Sequence, residues 1–215
     1  MRQLPAAFLL HFDAVASVSR AAADLLRLCA FLHPDAIPEE IFAKGATELG
    51  PNLSVIAADP LKLNAAFAKI LKYSLLRRDA DAKTLSIHRL VQAVIQDGLT
   101  GEEKRQWAER AVRAVDQGFP SPEFSNWAQC ERLVPQALAC ASLVLTYSFE
   151  FKEALRLFRA AHVYLDDRAR SSEVAREFED LALLLRDMRR TADAEVLEAE
   201  AQAIRAAHAK DSSPK

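Results

Sequence analysis

The 215 residues predict a mainly helical fold with one short β interruption. Three features of the sequence carry that expectation. Gly is scarce, at 5 residues, hydrophobic residues make up 51%, and Ala and Leu recur throughout, a composition that favours helix. Apolar residues recur at helical spacing in most stretches, as in RAAADLLRLCAFL. The period switches once to alternation, in SLLRRD and KTLSIH around the turn DADA.

Taken in order, residues 20–32 place Ala22, Leu25, Leu26, Cys29 and Leu32 on one helical face. Pro34 ends that helix, because the residue before a proline disfavours the α region. Pro38 opens a second short helix, PEEIFAK, with Glu39 and Glu40 in its first turn, where the helix dipole favours anions. A polar loop follows. The third helix, from Pro60 to about Tyr73, lines Leu63, Phe67, Ile70 and Leu71 on one face. The β-hairpin comes next. Three helices followed by a hairpin is the order of a winged-helix domain.

A fourth helix runs from about His88 to Leu99. Thr100 and Glu103 then match a capping box and start a helix to about Gln117, with Ala108, Ala111, Val112 and Val115 inward. GFPSPEFSNW, with two prolines, marks a soft boundary near residue 120. Beyond it, helices are expected at about 129–146, 151–168, 172–188 and 191–209, antiparallel to their neighbours because the connections are short. Residues 211–215 read as a frayed polar tail.

Leu181, Ala182, Ala194 and Ala201 match the small-residue positions of a tetratricopeptide unit, and Ala154, Phe158 and Ala161 fit an earlier one. The two units lie farther apart than the usual 34 residues, and Arg189 and Thr191 stand where Gly and Tyr are usual. A plain stack of α-hairpins is the alternative. The predicted fold class is therefore mainly α: a winged-helix domain with flanking helices and a small β-hairpin over 1–120, then a degenerate TPR-like antiparallel helical array over 121–215.

The net charge is −2, so bulk electrostatics do not mark a nucleic-acid or membrane-surface binder. Locally, Lys62, Lys69, Lys72, Arg77, Arg78, Lys83 and Arg89 face only Asp79 and Asp81 within residues 60–89. That stretch is either an anion-binding face or a solvated basic one. Cys29, Cys130 and Cys140 are widely spaced in apolar runs, which excludes a CxxC-type metal site or disulfide framework and reads as core packing. No apolar run approaches the ~20 residues of a membrane span, and the N-terminal apolar patch is interrupted by His11 and Asp13 with no convincing cleavage region. A cytoplasmic protein is expected.

No enzyme signature stands out. GxxxxGK(S/T), GxGxxG, GxSxG and HExxH are absent, and His11, His33, His88, His162 and His208 are scattered. No catalytic or metal-binding residue is assigned, and no cofactor within this chain. DNA binding would use the third helix, with Lys62, Lys69 and Lys72 on phosphates. Asn64 is its one side chain suited to reading bases. His88 sits at the strand-to-helix seam in TLSIHRLVQAVIQ. Unpartnered first-turn amides, the helix dipole and Arg89 would suit a phosphate there. The alternative is a histidine filling the seam and bonded to a nearby carbonyl.

The ordered run of AAADLLRLCAFLHPDAIPEEIF, LKYSLLRRDADAKTLSIHRLVQAVIQDGL, EEKRQWAERAVRAVDQGFP and WAQCERLVPQALACA resembles the region after the nucleotide-binding core in bacterial STAND NTPases of the NB-ARC plus tetratricopeptide type. The resemblance covers about residues 15–140, and the weak repeats extend it to about 209. It implies that Ile87, His88 and Arg89 stand where plant resistance proteins carry Met-His-Asp. There the histidine contacts the phosphate of bound ADP and holds the resting state. Arg89 departs from the acidic third residue. No P-loop core lies within these residues. The resemblance thus implies ADP or ATP only with an NTPase core, supplied in cis or in trans.

The leading expectation is a non-catalytic regulatory and scaffold module of such a signalling NTPase. His88 and Arg89 would sense nucleotide phosphate, and the helical array would bind a protein partner. The alternative is a DNA-binding winged-helix regulator with a helical sensor or oligomerisation tail, contacting anions through Lys62, Lys69, Lys72, Arg77, Arg78 and Lys83.

Overall fold

A computed structural model of the chain describes residues 3–120, 126–147, 175–176, 178–179, 182–183, 185–186 and 189–211. It divides into two compact units, Met1–Phe158 and Arg159–Lys215. The helix expected at 151–168, most of the break after Gly118, Ala154, Phe158, Ala161, Leu181 and residues 212–215 of the expected tail lie outside the described residues.

The protein is mainly helical, with a small three-stranded antiparallel sheet. Helix α1 spans Gln3–Val18 and packs on α2, Arg20–Cys29. The Ser19 hydroxyl caps α2 by accepting the Ala22 amide, which satisfies one of the orphan donors of a helix start. All five residues of the expected α2 face are buried.

The structure corrects two expectations in the segment that follows. Pro38 does not open a helix: Ile37–Pro38 form β1, paired antiparallel with β3, Thr84–Ile87, and α3 starts at Glu40 and ends at Lys44. A proline is tolerated there because β1 lies at the sheet edge. The stretch expected as a polar loop contains a 3₁₀ turn, Ala46–Glu48, and helix α4, Pro51–Ala57, which buries Leu53 and Ala57. A Cβ at Gly45 would come within 2.7 Å of Ala114, so glycine permits the close approach of α3 to a later helix, α7, Gly101–Gly118.

Helix α5 spans Pro60–Leu71, capped by the Asp59 carboxylate, and buries Leu63, Ala66, Phe67 and Ile70. Strands β2, Leu76–Asp79, and β3, Thr84–Ile87, form the expected hairpin. Leu76 faces Ile87 and Arg78 faces Leu85, in sheet order β1-β3-β2. Helix α6 spans Arg89–Asp97, and α7 spans Gly101–Gly118. The capping box at Thr100 is complete in both directions, and Ala108, Ala111, Val112 and Val115 are buried.

Helix α8, Trp127–Tyr147, packs on α7. Residue 120 therefore lies inside the first unit. Gln136 of α8 is fully buried: its Oε1 accepts the His33 amide at 2.9 Å, and its Nε2 donates to the carbonyls of His33 and Asp35. Cys29, Cys130 and Cys140 are unbridged and buried, as expected for core residues. Burial pushes all three thiols up.

In the second unit the described residues from 175 to 186 are helical, and a further helix spans Thr191–Asp211. Ala182, Leu185, Ala194, Leu197 and Ala201 are buried. The Arg186 guanidinium meets Glu198 through two 2.8 Å bonds. Arg189, in the turn, adopts φ 60, in the left-handed region. Among the described residues, no helix is long and apolar enough to cross a membrane.

Candidate functional site

The β3–α6 junction is positioned by glutamines. Gln92 of α6 donates to the carbonyls of Cys29 and Leu32, and Gln96 donates to that of Ala30. The last carbonyls of a helix have no intrahelical partner, so α6 completes the end of α2 with side-chain amides. The Ile87 amide donates to the Pro34 carbonyl at 2.9 Å. These ties place the start of α6 beside the end of α2.

His88 is exposed and is the N-cap of α6. Its Nδ1 accepts the Leu90 amide at 3.1 Å. The Val91 and Gln92 amides donate to the His88 carbonyl. The ring is neither buried nor donating to a carbonyl, and three first-turn amides are engaged within the helix itself. With Nδ1 accepting, the proton of a neutral ring lies on Nε2, which leaves one donor for a ligand. Arg89 and Leu90 are exposed beside it.

The basic residues do not form one uniform set. Lys69, Lys72, Arg77 and Lys83 are exposed. Lys62 meets Asp59 at 3.3 Å on the surface. Arg78 lies on the inner face of the sheet, as the i, i+2 rule dictates from buried Leu76. Its guanidinium forms a two-bond fork with Glu39, at 2.5 and 2.8 Å, and lies over the Phe67 ring, 4.8 Å from its centre. The Glu39 carboxylate also holds the Arg78 pKa above its ordinary value. Arg78 is thus engaged inside the fold, unlike the others. Sequence reasoning missed Glu39 as its partner; the alternation in LLRRD was the available signal.

Among the described residues, no three His, Cys, Asp or Glu side chains gather as a metal site. The class these observations define is a helical protein in which a small antiparallel sheet delivers an exposed histidine to a helix start. A family described as a domain of unknown function, DUF7779, has a model that matches residues 13–104, from α1 into the first turn of α7. No curated protein and no solved structure matches the chain.

Proposed function

We propose that the chain is a non-catalytic regulatory and scaffold module of a STAND-type signalling NTPase, made of a winged helix followed by a degenerate TPR-like array. The observation that carries the reading is His88: exposed at the end of the hairpin and anchored through Nδ1, so that the proton of a neutral ring lies on Nε2. Held rigidly by the cap, this ring donates to a nucleotide phosphate presented by an NTPase core, and Arg89 adds charge. The array reading is supported by buried Ala182, Ala194 and Ala201 and by the left-handed Arg189, at a position where tetratricopeptide units usually carry glycine. A concave face of such an array binds a protein partner.

The test joins the chain to an NTPase core and compares ADP release for the parent and His88→Ala. Faster release in the variant supports the phosphate contact; unchanged release returns His88 to a helix cap alone. The second reading, DNA binding, draws on exposed Lys69, Lys72 and Arg77. Binding to random duplex DNA at two salt concentrations discriminates, since phosphate-driven affinity falls steeply with salt.

A further inference from the structure

A cavity of about 410 Å³ opens between the start of α3, the adjoining ends of α4 and α5, the β2–β3 turn and α8. That volume lies within the usual range of small-ligand sites. Its polar lining is Glu39, Glu40, Asn64, Arg78, Lys83 and Arg132. The rim is preorganised by ties from three directions. The Glu39 amide donates to the Lys83 carbonyl at 3.0 Å, Arg132 donates to the Ala82 carbonyl at 2.9 Å, and Glu39 forks with Arg78.

Three charges remain after that pairing. Oε1 of Glu40 is shielded from solvent and accepts no hydrogen bond, an unfavourable state for a charged group. Lys83 and Arg132 have no carboxylate partner among the described residues. Lys83 also holds φ 52, a conformation that Gly or Asn adopts with less strain. The turn thus keeps a cation at the rim where an uncharged residue would fit the backbone better. The intervening wall is apolar, with Leu63 and Ala57 among its residues.

We propose that this cavity binds a free amino acid as its zwitterion, a rotation of the Glu40 side chain bringing its carboxylate to the ammonium while the ligand's carboxylate lies against Lys83 and Arg132. One negative and two positive groups favour an acidic side chain on the ligand. The site is separate from His88 and goes beyond the regulatory reading above.

The test titrates the full chain with L-glutamate, with glutarate, which lacks the amine, and with 1,4-diaminobutane, which lacks the carboxylates, following backbone amide shifts of residues 39–40 and 82–84. The expected result is saturable binding of L-glutamate with Kd on the order of 1 mM, and about tenfold weaker binding of either control. Glu40→Met abolishes the response while leaving the melting temperature of the free protein equal to or above the parent's. Lys83→Asn, which suits the backbone, weakens binding about tenfold and keeps the proposal testable should Glu40→Met fail to fold. No saturable response to L-glutamate, an equal response to glutarate, or undiminished binding in the Glu40 or Lys83 variant overturns the proposal.

Discussion

Replacing Gln136 by Met separates two pictures of the first 158 residues. If α8 began an independent domain near residue 120, the change would leave α1–α7 untouched. In the structure, Gln136 joins α8 to the segment after α2 by one good bond and two longer ones, 3.4 Å each. Met matches its length and flexibility, so little cavity is created. The loss is one hydrogen bond of about 1 kcal/mol, plus about 1–2 kcal/mol for a partly buried His33 amide left without a partner. The long bonds add little. The expected destabilisation is about 2–3 kcal/mol. Both tryptophans, Trp107 and Trp127, belong to the first unit, so their fluorescence in urea reports its unfolding. With an m-value of about 2 kcal/mol/M, the midpoint should fall by about 1–1.5 M. The exposed Gln117→Met serves as control, expected within about 0.5 kcal/mol of the parent. A Gln136→Met midpoint indistinguishable from that control would refute the reasoning.

Other outcomes follow from the same physics. A double-mutant cycle on Arg78 and Glu39, with Ala at each, should give a coupling of about 1.5–3 kcal/mol, since a charged fork with both partners largely buried is the stronger kind of hydrogen bond; a coupling near zero would place it among idle surface pairs. Glu103, held below its ordinary value by the Thr100 amide and hydroxyl, and Glu198, held down by Arg186, have folded pKa values lower than unfolded ones. Their contribution is therefore present above about pH 4.5 and lost as pH falls through the folded values. Glu103→Gln should flatten that acid loss in a pH series of thermal melts, and an unchanged slope would count against it. Arg189→Gly should stabilise the second unit by about 0.5–1 kcal/mol, the relief of a left-handed Arg offset by the freer unfolded chain. A lower helix melting temperature by circular dichroism would contradict this.

Much of the fold was legible because its causes are local. The α2 face, the hairpin and the Thr100–Glu103 box each follow from spacing within a few residues. β1 was not legible, because two residues ending in proline carry no alternation. Helix α4 was hidden by its length: Leu53 and Ala57 make a single i, i+4 repeat after Gly50-Pro51, which reads as a turn. At the candidate site, the sequence located His88 at the seam but not its cap bond. That bond turns on where the ring lies relative to the Leu90 amide.

By itself, then, the sequence determined the longer helices, the hairpin, the capped start at Thr100 and the inward faces of α2 and α7. Periodicity, caps and proline act over one or two turns, so they are written in neighbouring residues. Only the tertiary structure decided that Gln136 closes on His33 across 103 residues, that Glu39 claims Arg78, and that Glu40, Lys83 and Arg132 share one cavity. Those partners are chosen by how the helices dock, and docking depends on the fit of whole faces, which no local spacing specifies.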